Sequence, residues 1–498
     1  MNFLDRAIGY VSPIRGAKRA AARVAMQQLA YEGARKGRRT EGWYAHGTSA
    51  DAESQAVVGT LRDRARDLVR NNPYAAAACD VKVTETIGAG IVAEIPTQRL
   101  RDIWNRFGDE CDADGKSDLY GLQALVERCR FEAGECLVRF VPRELSAREA
   151  AAGVIPMRLR VLEPDYLDQS KDGVIEGRLC RYGIEYDGAG LPSAYWLYDE
   201  HPGDASMSSL RRSGLVSRRV SAADVLHVFR RLRPGQTRGV TEFAPVILRM
   251  RDLDDYDDAE VMRKKIEAVL AAFVTSPTGG ASPIGPVSTD ATGRIEKLFP
   301  GMVSYLKPGE GITFSDPKAS GGYADFQRFG LRAIATGTGI PYELMTGDLS
   351  QVNYSSYRAG LIRFRRRLEQ DQYQILVPML CAPIWRRVLE DARAVLGQPT
   401  LGERTRIEWT PPRFELVDPL KETQAEIEAI QAGLDTWPEV VRRRGWVAEE
   451  QLDMIEQWQK KLTTRGIVLT SDPRTAIAAK AAAETAPPRE REEDEEAA

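Results

Sequence analysis

The sequence is poor in histidine, with only His46, His201 and His227 in 498 residues. They stand far apart in dissimilar surroundings, so a zinc site or a Ser/Cys–His nucleophile has few residues to recruit. The six cysteines (Cys79, Cys111, Cys129, Cys136, Cys180, Cys381) contain no C-x-x-C pair. In a chain of this length they read as reduced thiols in a cytoplasmic setting. No apolar run approaches the ~20 residues of a membrane span, and none before residue 30 resembles a secretory signal. An excess of one charge is missing as well. The net charge is −3, whereas a chain that grips DNA by charge is basic overall. These absences count against an enzyme but leave carboxylate chemistry open.

The length suits about three domains or one multi-lobed subunit. Hydrophobic residues at 43% and charged residues at 28% allow ordinary cores. The small net charge conceals an asymmetry. Residues 1–40 hold nine basic and two acidic side chains, and an Ala/Pro-rich, acidic tail with Glu490, Glu492, Glu493, Asp494, Glu495 and Glu496 has the composition of a disordered segment.

Periodicity divides the chain between these ends. A helical piece is expected near Ala17–Ala30, and a helix over Ala50–Ala78, with Val57, Leu61, Ala65 and Leu68 on one face and Arg62, Arg64, Arg66 and Arg70 around it. Asn71-Asn72-Pro73 should end it. Mixed α/β structure follows to about Val240, with strands at Cys136–Phe140, Arg158–Leu162 and Tyr195–Tyr198. Thr241–Val274 lacks glycine and holds an apolar stripe from Phe243 to Phe273, which predicts one long helix. After a Gly/Pro/Ser-rich stretch and short strands come a helix at Phe326–Thr336, a loop at Gly337–Ser355 and a second long helix at Ser356–Val395 that Pro378 and Pro383 should bend. A strand at Arg406–Trp409 and a helical domain over Asp418–Arg465 complete the pattern.

Several motifs imitate active sites without completing them. Gly88-Ala-Gly90-Ile-Val-Ala93 has dinucleotide-loop spacing, but Pro96 follows where a helix should open, so a turn is expected. Gly115-Lys116-Ser117 ends like a phosphate loop, yet Glu110 replaces the first glycine and Asp112 and Asp114 would repel phosphate. As a calcium loop the same stretch puts Gly121 where a bidentate Glu belongs. The run Asp252, Asp254, Asp255, Asp257, Asp258 and Glu260 could suggest a two-metal nuclease, but consecutive helical carboxylates point all round the axis and read as a solvated or inter-subunit face. His227 alternates as in a strand and reads as structural. Arg363, Arg365, Arg366 and Arg367 form a basic cluster that reads as a helix surface or subunit-contact face, with a phosphate-facing role as the alternative.

A set of stretches, in order, resembles the portal proteins of lambda-type tailed phages. They are Leu61–Tyr74 (LRDRARDLVRNNPY), Ile87–Ile91, Leu162–Asp165, Gly183–Tyr186, His227-Val-Phe, Arg233–Gly239 (RPGQTRG), Gly347–Ser356 (GDLSQVNYSS) and Val417–Glu422. The resemblance spans roughly residues 40–460. It implies an α+β portal fold with a mixed α/β wing, a long-helix stem, a small α/β clip and an α-helical crown, assembled as a ring of twelve. The segments would be a basic arm (1–50), wing (51–240), stem helix (241–275), clip (276–321), second stem helix (322–336), tunnel loop (337–355), long kinked helix with a wing strand (356–417), crown (418–465) and acidic tail (466–498).

The resemblance further implies residence at the portal vertex of the virion, with assembly in the host cytoplasm and capsid nucleation as a further role. Partners would be other copies of the chain, double-stranded DNA without sequence preference, the terminase large subunit, the major capsid protein and head-completion or neck proteins. No membrane, cofactor, metal or catalytic residue is expected. Asp348, Gln351, Asn353, Tyr354 and Ser355 would line the tunnel, Lys264, Lys265, Arg363 and Arg366 would face DNA or a neighbour, and Lys297 and Lys307 would dock the motor from the clip. The competing readings are a carboxylate-metal nuclease or packaging ATPase, disfavoured by the broken motifs, and a non-portal head or tail structural protein.

Overall fold

The computed structural model describes residues 10, 12–28, 37–204, 216–268, 322–402, 407–414 and 418–467, together with the backbone of four strands between 272 and 314. The chain falls into two compact units, residues 1–53 and 54–498. In the first, α1 (Pro13–Gln28) is a basic helix, and a single 3-10 turn follows at Arg38–Thr40. A short helix, α2 (Ala50–Ser54), comes next in the sequence.

The second unit opens on two helices where the apolar spacing suggested one. They are α3 (Val58–Asn71) and α4 (Pro73–Ile87). Pro73 cannot continue α3, and Asn72 turns extended and caps α4 through a 2.9 Å bond to the Ala75 amide. After β1 (Val92–Glu94), α5 (Gln98–Glu110) buries Leu100, Trp104 and Phe107 at helical spacing. Trp104 meets Trp385 edge to face at 5.5 Å. Asp118 caps α6 (Leu119–Ala133), and Gly134, at φ +94, ends it and feeds β2 (Glu135–Pro142).

β2 is the middle strand of a three-stranded antiparallel sheet, between β3 (Met157–Leu162) and β9 (Val225–Phe229), and is buried along most of its length. Between them in sequence lie a short helix, α7 (Ala147–Ala151), and a five-stranded meander. Its strands are β4 (Gly173–Ile175), β5 (Arg178–Arg181), β6 (Ile184–Tyr186), β7 (Pro192–Tyr198) and β8 (Ser217–Ser221).

The long helix expected over Thr241–Val274 is shorter. Turns occupy 242–246, helix α8 spans Ile247–Ala268, and a strand, β10 (Ala272–Thr275), has formed before residue 276. The segment Ala-Phe-Val-Thr alternates and is β-branched, so it favours a ladder. β11 (Val287–Asp290) and β12 (Gly293–Glu296) form a hairpin, and β13 (Gly311–Phe314) returns to pair with β10. Helix α9 runs Tyr323–Thr338, longer at both ends than its apolar stripe suggested. The loop after it contains α10 (Tyr342–Thr346), and α11 begins at Tyr354 and continues to Asp371.

Pro378 sits inside a ten-residue π-helical stretch, Gln372–Cys381, that joins α11 to α12 (Ala382–Leu396) without leaving helical backbone angles. The wider π turn accommodates a residue that lacks an N–H. β14 (Glu408–Thr410) then pairs with β1 and ties this segment to the start of the unit. Three helices close the described chain, α13 (Pro419–Gln431), α14 (Trp437–Arg443) and α15 (Ala448–Thr464). One core cluster joins α5, α6, the three-stranded sheet and α12, and another joins α3, α4, α8, α9 and α11.

Candidate functional site

Helices α8 and α9 form an antiparallel hairpin whose register can be read from its contacts. A Cβ on Gly337 would lie 2.3 Å from Val246, and one on Gly330 would lie 3.2 Å from Leu253. Farther along, the Tyr323 hydroxyl donates to Asp257 at 3.0 Å, and Tyr256 packs on Phe326 at 4.6 Å between ring centroids. Gly337 thus leaves the space that the Val246 side chain fills. In the chain between the two helices, β10 and β13 pair antiparallel, Ala272 opposite Phe314 and Thr275 opposite Gly311. The chain between these two strands, residues 276–310, falls in the segment expected to be the clip. Lys297 and Lys307 belong to it but lie outside the described residues.

At the other end, Gly339 (φ +73) closes α9, and a Cβ there would fall 1.3 Å from the Arg367 guanidinium. The loop that follows is pinned rather than open. Asp348 accepts from the Tyr342 hydroxyl at 2.9 Å and from the Ser350 hydroxyl and amide at 2.6 and 3.0 Å. Those Ser350 bonds, with the Tyr342 bond, hold its carboxyl down at about 2. Asn353 caps α11 by accepting from the Ser356 amide at 2.8 Å. Gln351, Asn353, Tyr354 and Ser355 are exposed, the last two already within the first helical turn. Lys264 and Lys265 are exposed on α8, and Arg363 and Arg366 on α11. Their companions turn inward, Arg365 over the Phe414 ring and Arg367 onto Glu242 at 3.1 Å.

A buried ionic network that sequence reasoning missed ties the approach to this hairpin, at Glu242, to the end of α11, at Asp371. Asp371, at the end of α11, accepts from Lys82 at 2.5 Å and from Arg230. Arg130 holds Glu127 through two bonds of 2.7 Å and reaches Glu242 at 3.1 Å, and Glu242 also pairs with Arg230 and Arg367. Burial works against the Asp371 charge, yet Lys82, Arg130 and Arg230 bring its carboxyl down to about 2.

A second knot forms around Glu135, which is 1% exposed. It accepts from Arg238 at 2.5–3.0 Å, from His227 Nε2 at 2.8 Å and from the Gly239 amide at 2.8 Å. Burial opposes this charge too, and Arg238 and His227 outweigh it, holding the carboxyl well below its usual range. The stretch Arg233–Gly239 is the support that delivers Arg238. Gln236 accepts from the Leu232 amide and donates to the Arg238 carbonyl, both at 2.7 Å. Gly239 fits only without a side chain, since a Cβ would lie 2.1 Å from the Gly134 carbonyl. Arg62 and Arg66, expected around the outside of their helix, turn inward instead: Arg62 reaches Asp165 at 3.2 Å, and Arg66 meets Asp165 at 2.7 Å and Glu163 at 2.6 Å. The signal was present in the charged residues at otherwise apolar spacing.

The motifs that imitate active sites resolve into structure. Gly88 and Gly90 have positive φ and form a turn, and the Tyr120 ring fills the space a Cβ on Gly90 would need. In the Gly108–Ser117 stretch, Asp112 accepts from the amides of Asp114, Lys116 and Ser117 at 2.8–3.0 Å. The amides a phosphate would need already serve a carboxylate. The acidic run splits by face. Asp254 accepts from Asn72 at 2.7 Å and Asp257 from Tyr323, while Asp252, Asp255 and Asp258 are exposed.

Among the described residues one group, Glu163, Asp165 and His201, presents ligand atoms within 4.8 Å of one another. Arg66 and Arg62 already answer that charge. No helix among the described residues is long and apolar enough to cross a membrane.

Residues 36–372 match the model of a family described as phage portal protein, lambda family. The chain is 26% identical to the probable portal protein of Halomonas phage phiHAP-1, with 87% of each chain covered. It is 24% identical to portal protein B of Escherichia phage lambda, over 81% of this chain and 84% of that one. Among solved structures it is similar to a chain in the neck of a native GTA particle computed with C12 symmetry, at a TM-score of 0.43 and 14% identity, covering 76% of this chain and 93% of that one.

Proposed function

The chain belongs to the lambda family of phage portal proteins, and from that membership we propose that twelve copies close into a ring at one vertex of the virion head, through which double-stranded DNA enters and leaves. The observation that carries this reading is the family match across residues 36–372. The hairpin of α8 and α9 suits it, because copies placed side by side with these helices near the ring axis enclose a channel.

The mechanism is passive. A separate terminase hydrolyses ATP and drives DNA, and the ring supplies alignment and a bore. Each phosphate neutralised by the wall adds salt-dependent affinity, so a translocation channel needs few strong cationic contacts. The near-neutral chain fits that need. The tunnel segment 337–355 forms the narrowest part, with Gln351, Asn353, Tyr354 and Ser355 offering neutral hydrogen bonds to passing phosphates. Asp348 holds the turn that presents them, and its retained negative charge keeps DNA centred. Lys264, Lys265, Arg363 and Arg366 are the sparse basic groups for DNA or a neighbouring copy.

The segment between the hairpin helices docks the terminase large subunit and later the head-completion or neck proteins, using Lys297 and Lys307. The major capsid protein surrounds the ring, which nucleates head assembly. No catalysis resides in the chain.

A packaging assay tests this. Heads assembled with the chain, supplied with terminase, ATP and linear DNA, should protect DNA from nuclease, and heads assembled without it should not. Equal protection in both would overturn the proposal.

A further inference from the structure

Two sides of the α8–α9 hairpin remain largely exposed in one copy. On α8 the exposed side carries Asp252, Asp255 and Asp258 among Leu248, Val261 and Met262. On α9 it carries Arg332 and the part-exposed Arg328 beside Phe326 and Phe329, whose rings are 54% and 69% exposed. The α8 side holds three aspartates against Arg251, with apolar neighbours, and the α9 side holds two arginines against Asp325, with aromatic neighbours. An exposed patch of that composition is the kind of surface a protein interface covers.

The hairpin's own register says which residues would meet. In one copy Val246 lies level with Gly337, Leu253 with Gly330, and Asp257 with Tyr323. Counting along both helices puts Asp255 level with Arg328 and Asp252 within one residue of Arg332. Within one copy these level-matched charges do not pair. Asp255 instead meets Arg251 at 3.1 Å, Arg328 meets Asp325 at 3.4 Å, and Arg332 lies over the Tyr342 ring. Both helix pairings lie along a single helix, where an exposed pair contributes little. Rotation about an axis parallel to the hairpin preserves height. A neighbouring copy therefore presents its Arg328 and Arg332 at the level of this copy's Asp255 and Asp252.

We infer that the acidic face of α8 docks against the aromatic, basic face of α9 of the next copy, with Asp255 pairing to that copy's Arg328 and Asp252 to its Arg332 around Phe326 and Phe329. The contact joins two different surfaces, as a head-to-tail interface that closes into a ring requires. It gives the acidic run a role as an assembly surface. It rests on the ring reading proposed above.

Reciprocal charge reversal in the full chain tests the pairing, with assembly followed by mass photometry across a dilution series. Asp252→Arg with Asp255→Arg should raise the concentration for half assembly by about ten-fold or more, as loss of close interfacial charge pairs does. Arg328→Glu with Arg332→Glu should do the same. The four changes together should return assembly to within about three-fold of wild type, because each interface then regains opposite charges.

An Asp255→Cys, Arg328→Cys chain supplies a second readout, and on oxidation it should give a ladder of covalent multimers. Wild-type rings with no recovery in the combined variant, or a cross-linked product of monomer size, would overturn the pairing alone. Arginine-face reversals that leave rings intact but weaken DNA binding would assign that face to DNA and overturn it as well. A wild-type chain that forms no ring at any concentration would remove the ring reading and this inference together.

Discussion

Replacing Asp371 by Asn removes one charge from the most buried part of the molecule. Asp371 is 1% exposed and sits where α11 passes into the π-helical stretch, facing Lys82, Arg130 and Arg230. Two effects contribute. A carboxyl that would ordinarily titrate near 3.8 and is here held down to about 2 contributes on the order of 2 kcal/mol of stability at neutral pH. Taking its 2.5 Å partner from Lys82, itself 2% exposed, leaves only Glu127 at 3.9 Å and costs more: loss of one partner of a buried pair is worth about 3–5 kcal/mol.

The second effect dominates, so Lys82→Met should recover about half or more of the loss caused by Asp371→Asn. Urea unfolding at pH 7, followed by tryptophan fluorescence, gives both values. The pH dependence has a definite sign. The folded-state pKa is depressed, so the contribution is present above pH 4 and is lost as pH falls through 2. The gap between wild type and Asp371→Asn should therefore narrow across that window. A variant within about 0.5 kcal/mol of wild type at pH 7, the range of ordinary surface changes, would refute the clamp.

Gly239→Ala should lower stability by about 2 kcal/mol or more, because its Cβ would enter the Gly134 carbonyl and push Arg238 away from Glu135; thermal melting checks this. Gln351→Arg with Asn353→Arg should leave assembly intact yet slow packaging, most at low salt where phosphate attraction is least screened, as single-molecule packaging rates would report. Reversing the charge of Lys297 or Lys307 should weaken terminase binding in a pull-down while rings still form. Asp348→Ala removes the acceptor of three hydrogen bonds and should loosen the loop, read as faster proteolysis confined to residues 346–353.

The order of elements was largely legible in the sequence because apolar period and turn residues act locally. Strands at Cys136–Phe140, Arg158–Leu162 and Tyr195–Tyr198 lie within β2, β3 and β7, and the break at Asn72-Pro73 is where the chain turns. Boundaries were read less well where two preferences compete. Ala272–Thr275 continues the apolar stripe of α8 yet pairs with 311–314, a partner no local pattern reveals. Pro378 was expected to bend a helix, and what the sequence did not show is that the backbone widens into π turns around it. Of the candidate site residues, Asn353 showed its capping chemistry in its position before a helix, whereas the Asp348 bond to Tyr342 needed the fold.

The ionic network was hidden for a different reason. Its members are scattered from Arg62 to Asp371, and a charged residue on a helix reads as surface until its partner is known. Glu135 meets Arg238 across more than a hundred residues, and only the sheet brings them together. The same long range explains why Arg233–Gly239 could be recognised as a stretch typical of a family before its physical task was visible. That task is to hold one guanidinium against one carboxylate.

The central claim is that copies of this chain close around a channel, and electron microscopy of the purified full-length protein tests it directly. Class averages should show rings of twelve subunits with an open centre, wide enough in three-dimensional reconstruction to admit a DNA duplex. Particles that remain monomers or open chains over the whole accessible concentration range, or assemblies without a central opening, would contradict it.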